Sequence, residues 1–185
     1  NQFDKIATEL GASVIYCHHH SKGAQGGKRS MDRASGSGVF ARDPDALIDL
    51  VELEITDALL KQEENKAICN VYKELITKYN WSYFDEHVSQ DDVLSSRAME
   101  DHTRRAIPDR IAEVQEAVRQ AVQSVRKRTA WRVEGTLREY AKFDPLNIWF
   151  QYPIHRVDDV GSLKDLHPHG ELEPWKKAAG KRKES

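Results

Sequence analysis

Little cysteine and no long apolar run set the first limits on this chain of 185 residues. Only Cys17 and Cys69 occur, far apart in sequence. That excludes a disulfide framework and the paired-cysteine zinc motifs, and it fits a reducing, cytoplasmic setting. No stretch approaches the roughly 18 consecutive apolar residues that span a bilayer, so no membrane partner is expected. A GxxxxGK[ST] phosphate loop is missing, as is an apolar strand ending in a magnesium-holding aspartate ahead of the histidine run. By itself, then, the chain is not expected to hydrolyse a nucleoside triphosphate. Hydrophobic residues make up 39% and charged residues 31%; the first figure is low for a globular domain, so a modest core and wet helical surfaces are expected. A net charge of −2 excludes bulk electrostatic capture of nucleic acid and leaves only local basic patches for that purpose.

One patch stands out. The apolar run Ala12-Ser13-Val14-Ile15-Tyr16 leads into Cys17-His18-His19-His20-Ser21-Lys22-Gly23, then through Lys28-Arg29 to Arg33-Ala34-Ser35-Gly36-Ser37-Gly38. This pattern predicts a buried strand, carrying Cys17 at its end, that opens into a polar, basic, glycine-rich loop. In open α/β sheets, ligand chemistry collects at the carboxyl ends of strands. Ahead of the strand, Phe3, Ile6, Ala7 and Leu10 share one face of a predicted helix that Gly11 ends. Helix, glycine, strand and loop make half of an α/β unit. Because the chain enters that unit without an initial methionine, it is expected to be a fragment whose upstream strands precede Asn1.

His18-His19-His20-Ser21-Lys22-Gly23, followed by Asp32 to Asp43, resembles the "HHxSKG … GS" segment of RecA-like ATPases. The nearest group is the RepA-type hexameric replicative helicases of plasmids and phages, with the related AAA-type ATPases of mobile elements. The resemblance covers residues 1 to 55 and extends loosely to two late strands around 130–157. It implies an α/β fold: the C-terminal part of a RecA-like sheet, with a helical insertion and a C-terminal antiparallel hairpin. The implied work is ATP-driven and acts on DNA in replication or mobilisation. In that family one histidine of the pair lies near the γ-phosphate, the glycine-rich loop faces a central channel, and a downstream arginine reaches the neighbour's nucleotide. Carried over, His18 and His19 are the histidine pair, with His19 the phosphate-proximal one. Arg42 is the first candidate for the trans-acting arginine and Arg33 the second, since a cation against the transferring phosphoryl group stabilises its developing charge. Lys22, Lys28 and Arg29 are the DNA-facing cations. ATP and Mg2+ would be cofactors of the full-length protein, and the implied partners are single-stranded DNA and further copies of the chain in a ring.

The same residues admit other readings. The three histidines could bind zinc in a hydrolase, but no Asp, Glu or Cys stands at ligand spacing, so no metal is assigned. The loop has no aromatic side chain to stack on bases, so single-strand binding there would rest on charge. A non-catalytic nucleic-acid-binding or assembly module is the alternative function.

The remaining sequence divides at 55, 128 and 157. Ala46 to Ile55 predicts a strand that passes from buried to half-exposed. Residues 56–128 look helical and inserted, with a gap at Gln62–Lys66, a break over Asn80–Asp92, and a helix after Pro108 whose stripe is Ile111, Val114, Val118, Ala121 or Val122, and Val125. That stripe suits an ordinary bundle helix or, less simply, an intermolecular coiled coil. Thr129–Tyr140 and Leu146–Tyr152 predict an antiparallel hairpin at the sheet edge, ended by Pro153, with Arg132 and Arg138 on its exposed face. His87, His102, His155, His167 and His169 read as surface residues, and Asp91-Asp92 as a cap or turn. Residues 158–185 are expected to be a loop and a basic tail.

Overall fold

A computed structural model describes residues 2–17, 44–141 and 143–169. Among the described residues the chain mixes helices with one four-stranded antiparallel sheet. It divides into two compact units. One comprises 1–54, 130–148 and 157–185; the other comprises 55–129 and 149–156.

The sheet has strands in the order β1 (Ala46–Leu53), β2 (Thr129–Leu137), β3 (Leu146–Gln151) and β4 (Ile154–Val157). β1 pairs antiparallel with β2, Ala46 opposite Leu137 and Leu53 opposite Ala130. All of residues 57–126 lie between these two paired strands, so the helical segment is an insertion in a strand pair. Burial along β1 increases instead of decreasing as expected: Asp49, Val51 and Leu53 are buried, whereas Ile48 and Leu50 are exposed. The strand alternates from its start, and its final residues are covered on the outer side. There Glu54 donates its N–H to His167 O at 2.9 Å and His169 donates to Glu52 O at 2.8 Å. The hairpin β2–β3 forms, but it is not the sheet's edge. The chain turns at Tyr152-Pro153 and returns as β4.

Gly135 on β2 leaves room for the ring of Phe143; a Cβ at that position would collide with the ring. Arg132 is half-buried, not displayed on an exposed face. It donates from Nε to Asn147 Oδ1 (3.0 Å) and from Nη2 to Leu166 O (3.1 Å), tying β2 to β3 and to the segment after β4. That segment follows Asp158, whose carboxylate accepts from Ser162 Oγ (2.8 Å) and Leu163 N–H (2.7 Å). It thereby holds Leu163 in a fully buried position.

The first helix, α1 (Gln2–Leu10), ends at Gly11 with φ +59°, a left-handed conformation suited to glycine at a helix C-terminus. Ala12 to Cys17 do not form the expected strand. Val14, Ile15 and Tyr16 are exposed, and so is Cys17. A strand exists only through hydrogen bonds to a neighbour, and no strand among the described residues lies beside this run. Tyr16 instead stacks on Phe3 of α1, ring centroids 5.2 Å apart.

The other unit is built on α2 (Asp57–Tyr79), with α3 (Trp81–His87), α4 (Ser96–Ala106) and α5 (Ile111–Arg126). Thr56 caps α2 by accepting the Leu59 N–H at 3.3 Å. The polar stretch Gln62–Lys66 does not interrupt α2. Its carboxylates meet the C-terminal end of α5: Glu64 pairs with Arg126 (2.6 Å), and buried Glu63 with Arg128 (3.3 Å). Where a break was expected after Tyr79, Asn80 joins two helices. Its N–H donates to Ile76 O (2.7 Å), its Oδ1 accepts from Tyr83 N–H (3.2 Å) and its Nδ2 donates to Ala106 O (3.0 Å). The core gathers Cys69, Tyr72, Ile76, Met99, Ala106, Ile107 and Val114, with Val118 against it. The stripe on α5 thus packs inside the chain's own bundle.

Candidate functional site

His18, His19, Lys22, Lys28, Arg29, Arg33 and Arg42, and the third histidine His20, all lie outside the described residues. The structure does describe the two ends between which they run. The leading end is Ala12 to Cys17, anchored to α1 by the Tyr16–Phe3 stack and by the Ala12 N–H to Ala7 O bond of 3.1 Å. The returning end is Asp45, whose carbonyl accepts the Arg138 N–H at 2.8 Å and whose carboxylate pairs with the Arg138 guanidinium at 3.3 Å. Both ends belong to the sheet unit. Arg138 therefore holds the residue that leads into β1, a contact that the sequence alone did not suggest.

Three polar clusters among the described residues could be mistaken for reactive centres. The first lies across β1 and β2, where buried Asp49 stands opposite Glu134. Directly opposed carboxylates repel unless other groups engage them, and neither is without a partner.

The second cluster centres on His102, which is buried and not on the surface. Its Nδ1 lies 3.2 Å from Tyr83 Oη and its Nε2 lies 3.3 Å from Asp92 Oδ2. Asp92 also accepts from the Ser89 hydroxyl (2.7 Å) and the Ser89 N–H (3.0 Å). The Ser89 hydrogen bonds, with a smaller contribution from His102, hold the Asp92 carboxyl below its usual range. In a Ser-His-Asp triad the serine hydroxyl bonds the imidazole; here Ser89 bonds the carboxylate, and both imidazole nitrogens are taken. The chain Ser89–Asp92–His102–Tyr83 fastens the 3-10 turn Asp92–Leu94 and α3 to α4. Asp92 is thus the turn residue it was expected to be, and its histidine partner comes from the next helix.

The third cluster joins Arg128 Nε to Gln151 Oε1 (3.0 Å) and Gln151 Nε2 to Ser124 Oγ (2.6 Å). It clamps the hairpin end, residues 149–156, within the helical unit. Among the described residues no group of three or more His, Cys, Asp or Glu comes together to hold a metal ion. No described helix is long and apolar enough to cross a membrane.

No family model matches the chain, and no curated protein and no solved structure is significantly similar to it.

Proposed function

We propose that this chain is part of an ATP-dependent, helicase-like replication ATPase of the RecA-like kind, and that its sheet unit is the C-terminal part of the RecA-like sheet. The observation that carries this is the segment His18-His19-His20-Ser21-Lys22-Gly23 … Gly36-Ser37-Gly38-Val39-Phe40-Ala41-Arg42, both ends of which are rooted in the sheet unit. In this reading His18 and His19 form the histidine pair, with His19 sensing the γ-phosphate. Lys22, Lys28 and Arg29 contact the phosphates of single-stranded DNA, which fixes position without base specificity. Arg42, or Arg33 in its place, completes the neighbouring copy's site, and that shared site requires assembly into a ring.

The sequence has no phosphate loop, and the described residues bring no metal-holding group together. Nucleotide binding is therefore assigned to a phosphate-loop segment in a longer chain, together with the bond-breaking step of hydrolysis.

The missing phosphate loop favours a second reading, a non-catalytic nucleic-acid-binding or assembly module. DNA-stimulated ATP hydrolysis in a longer chain that includes a phosphate loop separates the two. Arg42→Ala and a phosphate-loop lysine variant should each be inactive, and mixing them should restore part of the activity. Normal hydrolysis by Arg42→Ala moves the role to Arg33; no hydrolysis by the longer wild-type chain leaves the binding module.

A further inference from the structure

The sheet unit contains two features that fit each other. The first is the outer edge of β1. The Asp45 carbonyl accepts from Arg138 on the β2 side, and the Glu52 carbonyl accepts from His169 on the other side. Backbone polar groups alternate in direction along a strand, so Ala46, Ile48 and Leu50 turn their N–H and C=O groups toward the outer edge. The segment 167–169 covers that edge at Glu52 and Glu54. From Ala46 to Leu50 no described residue pairs with it, and the side chains of Ile48 and Leu50 are 62% and 51% exposed. An edge that no described residue pairs, with apolar side chains beside it, invites another strand.

The second feature is the run Ala12–Tyr16, matching in length the open stretch of β1. It carries Val14, Ile15 and Tyr16, residue types that favour strands. Ile15 is 91% exposed. Within its own chain the run is held at both ends by α1, through the Ala12–Ala7 hydrogen bond and the Tyr16–Phe3 stack. It is not laid against β1.

We propose that Ala12–Tyr16 of one copy adds as a fifth strand to the Ala46–Leu50 edge of a second copy. Main-chain hydrogen bonds supply the join, and Val14 or Ile15 covers Ile48 and Leu50, the usual chemistry of strand addition. The two surfaces differ, so the contact is heterologous: each copy still offers one run and one edge, and repetition gives a ring if the rotation closes or a filament if it does not. This junction requires neither nucleotide nor DNA, so it stands or falls separately from the ATPase assignment.

The test is sedimentation velocity over a concentration series, on the chain alone. Wild type should self-associate. Ile48→Pro removes an outward N–H on an edge strand, a place where proline is tolerated, and should be monomeric. Ile48→Lys, a gatekeeping charge on the same edge, should also be monomeric, which guards against a proline that disturbs folding. Ser13→Pro should be monomeric as well. Mixing Ile48→Pro with Ser13→Pro leaves one intact run and one intact edge, so the mixture should give dimers and nothing larger. A monomeric wild type overturns the proposal. So does association that the edge and run variants retain, or a mixture that stays monomeric.

Discussion

The helical unit gathers its buried apolar side chains into one continuous core, whereas the sheet unit buries some, such as Val51, Leu53 and Leu163, and leaves others facing outward. In the first, Ile76 and Met99 are fully buried in a continuous core, and the charged groups of α2 find partners on the far side of the insertion. In the second, Ile15, Ile48 and Leu50 face outward, and the segment that carries the histidines and loop cations starts and ends there. Each helix of the bundle meets its partners within one stretch of chain. A sheet needs strands delivered from elsewhere, and along β1 from Ala46 to Leu50 no described residue pairs the outer edge. On the proposed reading, the helical insertion supplies stability and the sheet unit supplies interaction.

The sharpest way to break that contrast is to truncate one apolar residue in each unit, buried Met99 and outward-facing Ile48. Met99→Ala should cost about 2–5 kcal/mol in chemical denaturation, because the site is fully buried among helices. Ile48→Ala should stay within about 0.5 kcal/mol, as expected for an exposed position. Equal losses would contradict the contrast. A smaller effect is expected from Glu63→Gln, about 1–3 kcal/mol, since Arg128 keeps its charge in a half-buried place. Gly135→Ala should cost roughly as much, about 1–3 kcal/mol, because Phe143 must leave its seat over the glycine; it tests whether the sheet unit has a packed face of its own.

The thiols give a qualitative check. Cys17 is exposed and Cys69 is buried, and burial raises the Cys69 pKa further. Native protein should therefore react with a thiol reagent at Cys17 and release Cys69 only on unfolding. Fast native labelling of Cys69 would show that the bundle is looser than described.

The smallest effect concerns acid. The folded Asp92 carboxyl is held below its usual value, so the stability it contributes is present above the unfolded carboxylate range. That stability is lost as pH falls through the lowered folded value. Asp92→Asn should be less stable than wild type at neutral pH, with the gap closing in acid; a gap that is constant with pH would contradict the assignment.

Local patterns were legible in the sequence and non-local partners were not. The stripe on α5, the glycine stop at Gly11 and the strands around 46–53, 129–137 and 146–151 all follow from spacing within a few residues. His102 was taken for a surface residue because its partners, Tyr83 and Asp92, come from other elements. Residues 81–87 did not read as a helix because the signal is a single multivalent cap, Asn80. Ala12–Tyr16 looked like a strand by composition; whether such a run pairs depends on a neighbour that composition does not specify. The candidate site was legible only as a motif, since its residues lie outside those described, and the contribution of Arg138 at its root emerged only from the pairing of β1 with β2.

The most direct test of the division between the units is the salt dependence of single-stranded DNA binding by the chain. It should be measured for wild type, for Lys22→Ala/Lys28→Ala/Arg29→Ala, and for the helical-unit control Arg104→Ala/Arg119→Ala. If interaction resides in the sheet unit, the loop variant loses affinity and its log–log salt slope falls by about 2, the value for three lost phosphate contacts, while the control binds as wild type. Binding that survives in the loop variant and fails in the control would contradict the account.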